Sequence, residues 1–217
     1  MFPHAPIAGA AALPRALLVE GSFVARDMLM RVLNGSLNSP VEVLAVPTPR
    51  EAPPQPGPLS LALVDIDLDP DGACELLSSM PPAVWRLATT LYDDEDRLLP
   101  ALDAGIHGYL LKQDRYEQQV ESLQRIVQGR PGLTPAMARS LLDHLRGHEE
   151  FSEALAAALT SISRGLSLRE AARAQDATVP ELEALVASVY RMRHGSTSST
   201  GPASPPARAR PTGDSTA

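Results

Sequence analysis

The stretch that most constrains the fold is segment 59–72, with the sequence LSLALVDIDLDPDG. Six apolar or small residues are followed by four alternating aspartates: Asp65, Asp67, Asp69 and Asp71. A short apolar run that turn-forming residues end abruptly is typical of a central strand buried on both faces, and it is too short for a helix. We therefore expect the aspartates at the carboxyl end of a strand, where open α/β sheets form their binding crevices. The alternative is a polar turn in which one aspartate caps the following helix.

Further apolar runs predict four more strands, over 16–19, 41–46, 83–89 and 108–111. Amphipathic patterns predict helices over 23–33, 72–80, 93–104 and 116–128. Segment 47–58, PTPREAPPQPGP, contains six prolines in twelve residues, which exclude a crossover helix there. Strands that alternate with helices in this way predict an α/β fold, a doubly wound five-stranded parallel sheet of the flavodoxin-like type, with its second helix replaced by a proline-rich loop.

Four of these strands end on a polar side chain, namely Glu20, Asp65, Thr90 and Lys112. The carboxyl ends of parallel strands meet at one edge of a sheet, so these side chains are expected to lie together. Close carboxylates repel one another and usually share a cation or a charged partner. The pattern predicts a charged site at this edge.

With these residues the chain resembles the receiver domains of bacterial response regulators, which accept a phosphoryl group from a histidine kinase on an aspartate. Segment 91–112, LYDDEDRLLPALDAGIHGYLLK, is similar to the fourth helix and fifth strand of the NarL/FixJ subfamily. The resemblance implies that Asp65 is the phosphoacceptor and Thr90 the switch hydroxyl. It also implies that Lys112 pairs with the phosphoryl group and that Tyr109 is the rotating switch aromatic.

The chain departs from that family directly after its first strand. Receivers of the family carry two acids there, whereas this chain has Glu20 followed by Gly21. Magnesium prefers near-octahedral oxygen coordination, so the missing carboxylate predicts a weak Mg2+ site, with Glu20, Asp65 and Asp67 as its ligands. We therefore expect a pseudo-receiver with weak or no phosphorylation of Asp65.

Segment 151–195 contains three helical patterns, over 154–163, 168–174 and 180–192. Ser167 with Glu170 and Thr178 with Glu181 have the spacing of helix-capping boxes. Segment 162–195, ISRGLSLREAARAQDATVPELEALVASVYRMRHG, resembles the LuxR-type helix-turn-helix domain. The resemblance implies DNA as a partner, with backbone contacts expected from four arginines: Arg169, Arg173, Arg191 and Arg193.

The last helix of this segment carries two acids that do not suit a DNA-binding surface. The family commonly has threonine, lysine and histidine at the positions of Glu181, Glu183 and Leu185. Carboxylates repel phosphates, and segment 151–195 balances five arginines with five acids. The alternative to DNA binding is therefore a regulator that acts by protein–protein contacts through its pseudo-receiver and helical module.

The whole sequence is predicted to comprise a disordered arm (1–14), a receiver (15–130), a linker helix (131–150), a degenerate helix-turn-helix (151–195) and a disordered tail (196–217). A net charge of −7 gives no general attraction to nucleic acid. A single cysteine and the lack of a long apolar run favour a cytoplasmic protein without membrane contact. No nucleophile–base motif points to an enzyme. The expected protein partners are a histidine kinase or another regulator, and a second copy in a homodimer.

Overall fold

The structure is a computed structural model that describes residues 15–37, 40–53, 59–145 and 151–194, of which 191–194 are described by their backbone alone. The predicted disordered arm (1–14) and tail (196–217) lie outside the described residues.

A five-stranded sheet forms the centre of the first domain. Its strands are β1 (Arg15–Val19), β2 (Glu42–Val46), β3 (Leu61–Asp65), β4 (Trp85–Thr90) and β5 (Gly108–Leu111). All pairings are parallel and the spatial order is β2-β1-β3-β4-β5. Central strand β3 is buried along its whole length. The doubly wound parallel sheet predicted from the sequence is confirmed, and its switch point lies between β1 and β3, where such folds place their sites.

Helices cover both faces of the sheet, with α1 (Phe23–Ser36) and α4 (Tyr116–Val127) on one face and α2 (Pro70–Ser79) and α3 (Glu95–Asp103) on the other. Between β2 and β3 the described residues contain only a 3-10 turn, Pro49–Glu51, as the proline-rich segment predicted. Alternate residues of each strand face the two cores, so Leu17 packs on one side and Leu18 on the other.

Some element boundaries differ from the predicted ones. β3 and β4 begin at Leu61 and Trp85, two residues later than predicted, because their pairing with the neighbouring strands starts there. Helix α1 continues to Ser36, beyond the predicted end at 33. The Ser36 hydroxyl donates to the carbonyl of Val32 at 2.5 Å, which satisfies a polar group in the last turn.

Four helices follow the sheet: α5 (Pro135–His144), α6 (Glu153–Ser163), α7 (Leu168–Ala174) and α8 (Val179–His194). Helix α5 lies in the predicted linker, and α7 and α8 form the predicted helix–turn–helix pair. Apolar residues of α5, α6 and α8 belong to the same core cluster as the α2 and α3 face of the sheet. The helical part therefore packs directly on the sheet domain. None of the helices in the described residues is long and apolar enough to cross a membrane.

Candidate functional site

The polar strand ends meet around the ammonium group of Lys112. Its Nζ lies 2.7 Å from Oδ1 of Asp65, 2.9 Å from Oε2 of Glu20 and 3.5 Å from Oδ2 of Asp67. The Lys112 side chain is 10% exposed. Residues at or just after the ends of β1, β3 and β5, separated by up to 92 positions, thus form one buried charge cluster, as the pattern of strand ends predicted.

Two of these acids, Glu20 and Asp65, are each also held by the turn that follows them. The backbone N–H of Ser22 donates to Oε1 of Glu20 at 2.8 Å, and the backbone N–H of Asp67 donates to Oδ1 of Asp65 at 2.9 Å. The contact at Asp65 is an Asx turn, the contact at Glu20 spans the same two residues, and neither needs a contribution from distant elements. The two carboxylates are therefore positioned locally, and only their pairing with Lys112 depends on the sheet.

The Thr90 hydroxyl forms a hydrogen bond with Asp67 and not with Asp65, the candidate phosphoacceptor. Its hydroxyl donates to Oδ1 of Asp67 at 2.5 Å, and the backbone N–H of Leu91 donates to Oδ2 of the same carboxylate at 2.8 Å. The Arg97 guanidinium approaches Asp67 Oδ1 at 3.5 Å and lies over the ring of Tyr92, 4.3 Å from its centroid. Asp67 is therefore the acceptor that links β3 to the segment after β4.

Sequence reasoning missed Arg97. It follows the acidic run 93–96, and that run is explained by helix capping: Asp94 accepts from the backbone N–H of Arg97 at 3.1 Å. No signal in the spacing indicates that the same arginine reaches back to Asp67.

The charges of the site balance in part. Burial alone lowers the pKa of Lys112, but its hydrogen bonds to Asp65 and Glu20, together with their charges, outweigh burial and raise that pKa above 10.5. The lysine is therefore a cation throughout the neutral range. It faces three carboxylates, with Arg97 as a second cation at one side.

These residues, as arranged, do not fit magnesium, which the sequence predicted to bind weakly at Glu20, Asp65 and Asp67. Both oxygens of Asp67 accept hydrogen bonds from neutral donors, and the other two carboxylates accept from a backbone N–H and approach the Lys112 ammonium. Magnesium demands several oxygen ligands in near-ideal octahedral geometry. Here the ammonium lies where the carboxylates converge, and Gly21 supplies no further oxygen from a side chain.

Tyr109, the predicted switch aromatic, is bonded to the start of the linker helix. Its hydroxyl donates to Oγ1 of Thr134 at 3.1 Å and accepts from the backbone N–H of Thr134 at 3.0 Å. The Thr134 hydroxyl donates in turn to Oδ1 of Asp93 at 2.6 Å and caps α5 through the backbone N–H of Met137. Tyr109 thus connects β5 with α5.

The two acids that appeared unsuited to a DNA-binding helix both have partners within the chain. Glu181 accepts from the backbone N–H and the hydroxyl of Thr178 at 2.7 and 2.8 Å, which completes the predicted capping box. Glu183 lies 3.6 Å from Arg125 and 3.9 Å from Arg130, both in the sheet domain. No local pattern predicts this second pairing, because it joins residues of different domains.

The predicted DNA-contacting arginines lie in different surroundings. Arg173 is exposed on α7, and Arg169, also exposed, faces a cleft beside α4. The side chains of Arg191 and Arg193 lie outside the described residues.

Helix α8 packs against the sheet domain through apolar side chains on one of its faces. Val186, Val189 and Tyr190 are at most 3% exposed and belong to the core cluster shared with the sheet domain. The Tyr190 hydroxyl donates to the carbonyl of Gly132 at 2.7 Å. The second helix of the helix-turn-helix pair is therefore held against the segment that joins the two domains.

Comparisons with known proteins found no matching family model and no matching curated protein. Solved structures do match. A LuxR family DNA-binding response regulator from Silicibacter pomeroyi is 20% identical, and the match covers 54% of this chain and 93% of that one with a TM-score of 0.46. The response regulator ChrA of a heme-sensing two-component system is 23% identical over 83% of this chain and 90% of its own, with a TM-score of 0.46. RcsB from Salmonella typhimurium is 15% identical over 85% and 93%, with a TM-score of 0.45. All three of these structures are of response regulators.

Proposed function

We propose that this protein is a response-regulator-like transcriptional regulator in which a receiver-like domain controls a C-terminal helix-turn-helix domain that binds DNA. The observation that carries the proposal is the docking of α8. The apolar side chains of this candidate recognition helix pack against the sheet domain. The Tyr190 hydroxyl also forms a hydrogen bond with the carbonyl of Gly132, in the segment between the domains. A change in the receiver-like domain therefore acts directly on the helix that would enter the major groove.

The charged site at the strand ends supports a receiver with weak or no phosphorylation. Phosphoryl transfer requires cations that are positioned to neutralise the charge of the transferred phosphoryl group. Here the cations are Lys112 and Arg97, and the carboxylates do not fit magnesium. We propose that this site is chiefly a structural charge cluster that fixes the ends of β1, β3 and β5.

The proposal extends to partners and location. We propose a homodimer that acts on DNA in the cytoplasm and receives its input from a histidine kinase or another regulator protein through the receiver-like domain.

Titration of the full chain into a fluorescent mixed-sequence duplex, at several salt concentrations, tests the function. DNA binding releases counterions, so the affinity should fall as salt rises. We expect weak binding by the natural chain and tighter binding by Glu183→Lys, because that variant removes the carboxylate that pairs with Arg125 and Arg130 and loosens α8.

Glu153→Lys is the matched control, since it makes the same charge change at an exposed position of α6. Absence of binding by every form at low salt would refute DNA binding. Equal binding by the two variants would show that the added charge, and not release of α8, explains the gain.

A further inference from the structure

A cleft of about 780 Å³ lies between α4 and the start of the helix-turn-helix pair. Arginines line it from both sides, with Arg125 and Arg130 from the sheet domain and Arg169 from α7. Clefts of this volume between domains are the usual location of small-molecule sites. The cleft lies apart from the charge cluster at the strand ends, and Glu183, whose ion pairs are tested above, is one of its lining residues.

The arginines of the cleft are incompletely neutralised. Glu183 is the acid that approaches Arg125 and Arg130, at 3.6 and 3.9 Å, distances too long for good hydrogen bonds. Arg169 forms no ion pair with any residue in the described ranges, and it is exposed. Glu121 also lines the cleft, so three guanidinium groups face two carboxylates. The cleft therefore favours an anion.

Part of the cleft wall is apolar. Leu133, Leu166, Leu168 and Val179 are half-buried there, and Ile162 is buried beneath them. A ligand that covers apolar surface left partly exposed between two domains removes that surface from water, which makes the free energy of binding more favourable. A ligand that satisfies both features has an apolar body and an anionic head group.

We propose that this cleft binds a small organic anion that consists of an apolar body and a phosphate or carboxylate group. Guanidinium groups bind such heads with paired hydrogen bonds, and Arg130 and Arg169 are exposed enough to turn toward one. Since Arg130 belongs to the sheet domain and Arg169 to the helix-turn-helix, the anion bridges the two domains and favours their docked arrangement. This inference does not depend on DNA binding.

Calorimetric titration of the full chain with 1-naphthyl phosphate tests the proposal, with 1-naphthol and inorganic phosphate as its separate halves. We expect 1-naphthyl phosphate to bind more tightly than either half. Arg130→Gln and Arg169→Gln should each weaken its binding about tenfold, the usual effect of losing one charge-assisted hydrogen bond. Melting of each variant checks that it is folded.

Arg139→Gln is the matched control, because Arg139 is exposed on α5, bonds to the carbonyl of Ser163 and does not line the cleft. Its affinity should equal that of the natural chain. No binding of 1-naphthyl phosphate up to about 1 mM, equal binding of 1-naphthol, or unchanged affinity in both cleft variants would overturn the proposal.

Discussion

A single ammonium group, that of Lys112, approaches all three carboxylates of the buried cluster, Glu20, Asp65 and Asp67. Removing one member of a buried ion pair leaves uncompensated charge, which typically costs about 3 to 5 kcal/mol. We expect Lys112→Met to lower the free energy of unfolding by about 3 kcal/mol near neutral pH, measured by urea denaturation.

Arg31→Met is the control for this substitution. Arg31 pairs with Asp27 at 2.9 Å on the surface of α1, with both side chains more than half exposed. Surface pairs contribute about 0 to 1 kcal/mol, so this variant should remain close to the natural chain. Equal effects of the two substitutions would mean that the cluster is well solvated.

Asp65 is the residue at which phosphorylation is tested. It is held by Lys112 and by the backbone of Asp67, and the site lacks the second acid of active receivers. We expect weak or absent labelling by a small phosphodonor in the presence of magnesium, measured by mass spectrometry of the intact chain. Strong labelling that disappears in Asp65→Asn would contradict this expectation.

Tyr109 is predicted to affect stability in alkaline solution. Burial, reinforced by the charges of Asp93 and Asp114 and opposed by the hydrogen bonds with Thr134, raises the pKa of its hydroxyl well above 10.0. Because the folded pKa exceeds the unfolded one, the contribution of this group is fully present below about pH 10 and is lost as the pH rises further.

Tyr109→Phe removes this dependence. Its free energy of unfolding should fall less between about pH 9 and about pH 11 than that of the natural chain, by up to about 1.4 kcal/mol per pH unit. Denaturation by urea at the two pH values measures the difference. Parallel losses in the two proteins would show that Tyr109 is not protected from ionisation.

At the scale of elements, two glycines with the same backbone conformation have different surroundings. Gly105 after α3 and Gly165 after α6 both have φ of +86°, in the left-handed region. A Cβ at Gly105 would lie 2.9 Å from Nη1 of Arg86, a residue that is 9% exposed, whereas a Cβ at Gly165 would meet no atom within 4 Å.

Alanine at Gly165 should therefore cost only backbone strain, about 1 to 2 kcal/mol. Gly105→Ala should cost about 1 kcal/mol more, because Arg86 must also move. Thermal unfolding of the two variants gives the comparison, and equal losses would mean that Arg86 shifts freely.

The ends of several helices were predictable because their signals are local. Ser167 and Thr178 each cap the helix that follows, as their spacing indicated. A capping side chain binds a backbone group three residues away, so its geometry follows from the chain itself. The longer extent of α1 was not predictable, since the packing of its last turn depends on α4 through the bond from Ser36 to the carbonyl of Val120.

At the scale of the whole molecule, the docking of α8 depends on few polar contacts. Tyr190 provides one, and its loss in Tyr190→Phe should lower stability by about 1 kcal/mol and speed amide hydrogen exchange in α8. Tyr116→Phe is the control, because Tyr116 bonds to the carbonyl of Arg31 within the sheet domain. If both variants left exchange in α8 unchanged, the hydroxyl of Tyr190 would not hold the helix.

The sequence by itself determined the five strands, the polar residues that end them and the capped helices. These features follow from hydrophobic periodicity and from contacts within a few residues. It also determined that Glu20, Asp65 and Lys112 would meet, because parallel strands bring their carboxyl ends to one edge.

Only the tertiary structure decided how the side chains pair. Thr90 and Arg97 both contact Asp67, and the Lys112 ammonium lies where the carboxylates converge. Glu183 pairs with Arg125 and Arg130. The physical reason is that a pattern along the chain specifies which face a residue occupies, whereas an ion pair between distant elements depends on their relative position, which packing of the complete core alone establishes.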